Sequence, residues 1–144
     1  MRFYESATTI DAPPDAVWAV LLDGAAYPAW GSGVDRVEGT IADGERIKVH
    51  AAVNPGRAFP VKVAIDRAAG KMRWTGGMPL GLFKGVRTFT LTPTADGGTS
   101  FTMREEYTGP MLGLIWRSMP DLGPSFAQFA TALKAAAEPR SPAV

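Results

Sequence analysis

Glu105 sits where a carboxylate has work to do. In the run Thr99 to Thr108, the residues Phe101, Met103, Glu105 and Tyr107 alternate with Thr102, Arg104, Glu106 and Thr108. The second set is polar throughout and suits the wet face of an antiparallel sheet, so parity sends Glu105 inward among apolar neighbours. A buried charge without a partner is strongly unfavourable. Arg87 is the natural mate, because it shares a face with Phe89 and Leu91 on the preceding run, Val86 to Thr94. A three-residue turn at Asp96-Gly97-Gly98 keeps these two faces on the same side of the sheet. Three roles stay open for the pair: a structural ion pair at a cavity rim, recognition of a ligand, or acid–base catalysis.

Other chemistry is scarce. Cysteine is absent, which excludes disulfides, thiolate ligands and a cysteine nucleophile. His50 is the one histidine. It alternates with Ile47, Val49 and Ala51 and so points outward with Lys48, as a solvated side chain rather than a catalytic base. No second histidine or helical carboxylate stands at ligand spacing, so neither a metal site nor a cofactor is expected. Gly31-Ser32-Gly33 and Gly76-Gly77-Met78-Pro79-Leu80-Gly81 lack the further residues of a phosphate cradle. The second segment, continuing to Leu82 and Phe83, is apolar yet denied a regular element by its glycines and Pro79. It is either a loop tucked onto the core or an apolar lid at a cavity mouth.

Composition narrows the partners. Fifteen basic and fourteen acidic residues give a net charge of +1 and no basic cluster, against a nucleic-acid partner. The longest uncharged stretch, Leu122 to Leu133, falls short of the ~18 residues that a membrane span needs, against stable membrane insertion. Arg2 and Glu5 leave no apolar segment for a signal peptide, so a cytoplasmic location and a monomer or weak homodimer are expected. At 144 residues the chain suits one domain, over 1–138, with a disordered tail at 139–144.

The positioning elements follow from periodicity. Arg2 to Ile10 reads as a strand, and Pro13 and Pro14 open a helix that runs to Leu22, with Asp11 or Asp15 as cap. Ala25 to Trp30 reads as a second short helix or turn. Six strands then follow: Val34 to Ile41, Arg46 to Val53, Val61 to Ile65, Lys71 to Thr75, Val86 to Thr94, and Thr99 to Thr108. Leu112, Ile115, Met119, Leu122, Phe126, Phe129 and Leu133 step by three and four without a slip. Pro120 interrupts that helix chemically but not in phase, which predicts a break near Ser118–Asp121 with both segments facing the sheet.

Ile10-Asp11-Ala12-Pro13-Pro14-Asp15-Ala16-Val17-Trp18 and Tyr27-Pro28-Ala29-Trp30 resemble the opening of the SRPBCC superfamily, which includes START lipid-transfer domains and polyketide cyclase/dehydrase-like proteins. Met72-Arg73-Trp74, Leu82-Phe83-Lys84-Gly85, Gly97-Gly98-Thr99, Glu105-Glu106-Tyr107-Thr108-Gly109 and the closing helix match in the same order. The resemblance implies an α+β helix-grip fold: a seven-stranded antiparallel sheet wrapped around a long C-terminal helix, with two short helices after the first strand. It also implies an apolar cavity of roughly 300–1,000 Å³ between sheet and helix. Parity and helical phase aim Trp74, Phe89, Phe101, Met103, Tyr107, Phe126 and Phe129 at that space, together with Arg87 and Glu105. The leading expectation is binding of a small hydrophobic or aromatic molecule. Alternatives are a cyclase- or dehydratase-like enzyme that shapes a polyketide-like substrate, and a co-chaperone-like interaction module with a filled interior.

Overall fold

The structure, a computed structural model, describes residues 1–139. The tail expected at 139–144 therefore lies, except for Pro139, outside the described residues. Strand β1 (Arg2–Ile10) leads into helix α1 (Pro14–Leu22). Strands β2 (Val34–Glu38), β3 (Arg46–Ala51), β4 (Ala58–Asp66), β5 (Lys71–Gly77), β6 (Lys84–Pro93) and β7 (Thr99–Thr108) follow as a meander. Helices α2 (Leu112–Ser118) and α3 (Gly123–Ala137) close the chain. The sheet order is β1-β7-β6-β5-β4-β3-β2, every neighbouring pair antiparallel. α1 and the turn after it thus carry the chain from one edge of the sheet to the other.

The register places the inward residues in rows. Tyr4 lies opposite Glu105, Glu105 opposite Arg87, Arg87 opposite Trp74, and Trp74 opposite Val63. One step along, Tyr107 lies opposite Gly85 and Gly85 opposite Gly76. The core is one cluster of inward strand residues, α1 and α3, with Ile10, Val17, Leu21, Phe101 and Leu133 sealed from solvent. α3 packs on β1, β7 and α1. Lys134 Nζ donates to the Thr9 carbonyl at 2.9 Å, and Glu138 accepts the Asp11 backbone N–H at 2.8 Å. These two contacts tie the last turn of α3 to the end of β1.

The closing helix breaks where proline chemistry demands. Met119 is extended (φ −73°, ψ 140°), as expected for a residue before proline, and Pro120 has no N–H to offer. The Asp121 carboxylate takes the Gly123 N–H at 2.9 Å, and α3 restarts with Pro124 in its first turn, where a missing N–H costs nothing. Ile115, Trp116 and Leu122 are all partly covered, so both segments keep their apolar face toward the sheet.

Several local expectations need correction. The second helix is a single 3-10 turn, Gly24–Ala26. Beyond it the chain is held by Tyr27 O–H to the Leu21 carbonyl (2.6 Å) and by Ser32 Oγ to the Tyr27 carbonyl (2.7 Å). Neither Asp11 nor Asp15 caps α1: its N-cap is Pro13, and Asp15 instead pairs with Arg67 at 3.1 Å. The β6–β7 connection is five residues, 94–98, not three. Thr94 N–H reaches the Gly98 carbonyl, and Thr94 Oγ1 and Asp96 both accept the Gly98 N–H. Adding two residues leaves side-chain parity unchanged, so Arg87 and Glu105 still share a face. Pro79–Gly81 forms one 3-10 turn in a segment expected to have no regular element.

Candidate functional site

Between the concave face of the sheet and the α2–α3 break lies a hollow of about 540 Å³. Its floor belongs to the outer ends of β5, β6 and β7, its far wall to Val49 and Phe59, and its roof to Ile115, Met119, Leu122, Phe126 and Phe129. A trough of similar volume crosses the convex face, but its walls are threonines and charged side chains such as Lys71, Arg73 and Arg104. Such groups are already hydrated, and the trough is open to solvent along its length. The hollow is the better ligand site because its walls are mostly apolar and partly enclosed.

Arg87 and Glu105 meet there. Arg87 Nε donates to Glu105 Oε1 at 3.0 Å, and the two side chains are 19 % and 18 % exposed. The Arg87 guanidinium also lies over the Phe126 ring, 4.8 Å from its centre. The guanidinium is therefore fixed from the sheet by a carboxylate and from the helix by a ring. Tyr107 flanks the pair. Its ring packs edge-on against Tyr4 and Trp116 and stacks on Phe83. Burial, and then the neighbouring Glu105 carboxylate, push the Tyr107 phenol well above its ordinary pKa, so it is neutral and a donor. Glu105 acts both by its charge and as a nearby acceptor, although the Tyr107 hydroxyl makes no hydrogen bond of ordinary length and angle to the protein.

Of the residues aimed at the hollow from the sequence, Trp74, Arg87, Met103, Glu105, Tyr107, Phe126 and Phe129 line it. Phe89 and Phe101 do not. Both are sealed beneath Phe129, whose ring centre is 5.9 Å from that of Phe89 and 6.4 Å from that of Phe101. They face the right side of the sheet, but the helix covers them. His50 is outward, as parity requires, yet less solvated than expected: its Nε2 lies 2.7 Å from Glu38 Oε2. That hydrogen bond is the main cause of a lowered Glu38 pKa.

Sequence reading passed over two features of the wall. Gly76 and Gly85 are cross-strand partners at inward positions, two residues from Trp74 and Arg87. The same parity count that found Glu105 finds them. A side chain at Gly76 would strike the Pro60 carbonyl, 2.8 Å from an added Cβ, whereas one at Gly85 would meet only ordinary contacts. Both places are already bounded, by Pro60 and Val61 at Gly76 and by the Tyr107 ring and Glu105 carboxylate at Gly85. Arg57 also reaches the mouth, with its guanidinium over the Phe59 ring. No periodic signal marks it, because it sits in the β3–β4 connection.

The segment after Gly77 borders the mouth. Met78 and Phe83 line the hollow, while Leu80 projects outward, 96 % exposed, from a left-handed backbone (φ 61°). A leucine in that region is strained. The segment is bridged by Met78 N–H to the Phe83 carbonyl and joined to α2 by Met111 N–H to the Leu82 carbonyl. It is a mouth-side loop, not one tucked onto the core.

Among the described residues, no helix is long and apolar enough to cross a membrane, and no cluster of histidine and carboxylate side chains is placed to hold a metal. No curated protein sequence matches the chain. The aromatase/cyclase Zhui from Streptomyces sp. R1128 is similar in fold: TM-score 0.72 at 15% identity, with 94% of this chain and 93% of that one covered. A START superfamily protein from Mycobacterium smegmatis gives a TM-score of 0.64 at 16% identity, covering 92% and 94%. The hypothetical protein jhp0584 from Helicobacter pylori gives 0.74 at 12% identity, covering 95% and 88%. These likenesses extend to the helix-grip architecture. The model of one sequence family, described as polyketide cyclase / dehydrase and lipid transport, matches residues 1–138, and the chain belongs to that family.

Proposed function

We propose that this protein binds a small, largely apolar molecule in the hollow between the sheet and the α2–α3 break. The observation that carries this reading is the hollow itself: about 540 Å³, walled by aromatic and aliphatic side chains around a single ion pair. That volume suits a drug-sized ligand, and the few polar groups suit orientation of one. Trp74, Arg87, Met103, Glu105, Tyr107, Phe126 and Phe129 are the proposed contacts, while Phe89 and Phe101 support them from beneath. An interaction module with a filled interior is not favoured, since the interior here is not filled.

Native mass spectrometry of the purified protein is the test. We expect a co-purified small molecule in the wild type and its loss in Gly85→Val, whose Cβ meets the Tyr107 ring and Glu105 carboxylate at ordinary contact distance and whose methyls add bulk beside them. An equal yield of bound molecule from both proteins counts against the hollow as the site. A second reading, a cyclase- or dehydratase-like enzyme, is favoured by Arg87, Glu105 and Tyr107 sharing one wall. These groups could hold a folded substrate and move a proton. Conversion of a polyketide-like substrate that is lost in Glu105→Gln, with binding retained, would select it.

A further inference from the structure

The outward face of β3, β4 and β5 is exposed and unevenly charged. Arg46, Lys48, Lys62, Lys71 and Arg73 alternate with the inward residues Ile47, Val49, Val63, Met72 and Trp74, so all five point away from the hollow into solvent. Along the sequence they are scattered over three strands; the register gathers them. Arg46 lies directly opposite Lys62 across the β3–β4 ladder, and Lys48 stands one diagonal step from Lys62. Lys62 lies opposite Thr75, which puts Arg73 one diagonal step away, and Lys71 follows Arg73 on the same side of β5. The result is an oblique strip of cations roughly 20 Å long, by the rise of an extended strand.

The protein does not neutralise this strip. Among the described residues, none of the five cations is within 4.0 Å of a carboxylate oxygen. A carboxylate stands beside each end, and both are engaged elsewhere. Glu38, opposite Lys48, has Oε2 2.7 Å from His50 Nε2 and Oε1 3.4 Å from Arg36. Asp66, opposite Lys71, accepts the Ala69 N–H at 3.1 Å. Like charges directly opposite on a ladder are destabilising, so the Arg46–Lys62 pairing works against the fold. Nor does the strip follow from a basic composition, since the net charge of the chain is only +1.

A uniform polyanion fits this face poorly. A flat anionic membrane meets a convex sheet only along its crest. A nucleic acid crossing the face would also meet Glu5 and Glu106 toward β1. Phe3, the exposed aromatic of that side, is covered by the Arg104 guanidinium, 3.8 Å from its ring centre, and so is not free to stack on a base. A protein segment can place its carboxylates on the strip alone. Along one side of a helix they recur about every 5–6 Å, which matches the spacing of about 5–8 Å between facing and diagonal neighbours on a sheet. About fourteen helical residues cover the whole length.

We propose that Lys48, Arg46, Lys62, Arg73 and Lys71 form a docking strip for a partner protein that presents a row of carboxylates. The strip lies on the face of the sheet opposite the hollow, so this interaction is independent of what the hollow binds.

The probe is a fluorescently labelled alanine-based helical peptide with glutamate along one side, read by anisotropy at low and at physiological salt. Its glutamine counterpart, a short DNA duplex, and phosphatidylcholine vesicles containing about one third phosphatidylserine are the alternatives. Wild type is expected to bind the glutamate peptide at least about tenfold more tightly than the glutamine one, and more weakly as salt rises. Lys62→Glu and Arg73→Glu should each weaken it about tenfold, whereas Arg117→Glu, the same charge change on α2, should alter it by less than about twofold. Thermal melting supplies a second readout: Lys62→Glu replaces a like-charge pair by an opposite one, so it should melt at or above wild type while losing the peptide. An equal loss of binding in Arg117→Glu would reduce the effect to net charge and overturn the strip. Tighter binding of the duplex or of the vesicles than of the peptide would overturn a protein partner. No binding of the glutamate peptide by wild type, or a lowered melting temperature in Lys62→Glu, would likewise overturn the proposal.

Discussion

The two ends of the concave face obey the same parity and differ in what they hold. Along β6 the inward side chains run Leu91, Phe89, Arg87, Gly85; along β5 they run Met72, Trp74, Gly76; along β7 they run Phe101, Met103, Glu105, Tyr107. Each series starts with large apolar groups under α3 and ends, beneath the helix break, in glycine, charge or an unpartnered hydroxyl. The first end is filled because Phe129 descends onto Phe89 and Phe101, with Leu133 buried in the same core cluster. The second is hollow where the roof turns away from the sheet at Met119–Pro120. The cavity here thus opens where the covering helix leaves the sheet. Polarity there decides only what the cavity can recognise.

The contrast can be broken most forcefully at the filled end. Phe101→Ala should cost about 3–5 kcal/mol in chemical denaturation, since a fully buried ring leaves a void that its neighbours cannot close. A loss under about 1 kcal/mol would mean that the filled end is not tightly packed.

Alkali is next. Burial raises the pKa of Tyr27 and Tyr107 far above the free value, so each folded phenol stays neutral after its unfolded counterpart ionises. Their contribution to stability is complete below about pH 10 and falls as pH rises further, by about 1.4 kcal/mol per pH unit for each. Denaturation midpoints measured from pH 8 upward should be level and then drop, with phenolate absorbance from Tyr27 appearing only on unfolding. Free titration of Tyr27 in the native protein would contradict its burial.

Glu105→Gln should lower stability by only about 1 kcal/mol, because the amide oxygen still accepts from Arg87 in a partly exposed pair. Retention of a co-purified ligand should fall more than stability does. Full retention would assign the pair a structural role alone.

The smallest and sharpest contrast is between two tyrosines. Tyr27 O–H is bonded to the Leu21 carbonyl, so Tyr27→Phe should cost about 1 kcal/mol. Tyr107 O–H has no protein partner, so Tyr107→Phe should change the melting free energy by less than about 0.5 kcal/mol. Similar losses in both would show that the Tyr107 hydroxyl is satisfied in solution.

Much of this molecule is dictated locally. Period-two alternation names the strands and the inward face that holds Glu105, because successive side chains on a strand must point to opposite sides. The short β6–β7 connection makes Arg87 its partner, and the pairing survives a turn two residues longer than expected because parity repeats every two. Pro120 breaks the last helix whatever surrounds it, since a ring without an N–H cannot continue the ladder. Volume is not local in this way. Whether an inward residue lines a hollow or lies under a helix depends on what the distant chain lowers onto it, and Phe89 and Phe101 differ from Trp74 in that respect alone. The facing of Gly76 and Gly85, the covering of Arg87 by Phe126, and the reach of Arg57 to the mouth all needed the register of strands and the seat of α3. Side-chain direction is a property of the backbone at one residue, whereas empty space is a property of everything around it, and only the tertiary structure decides that.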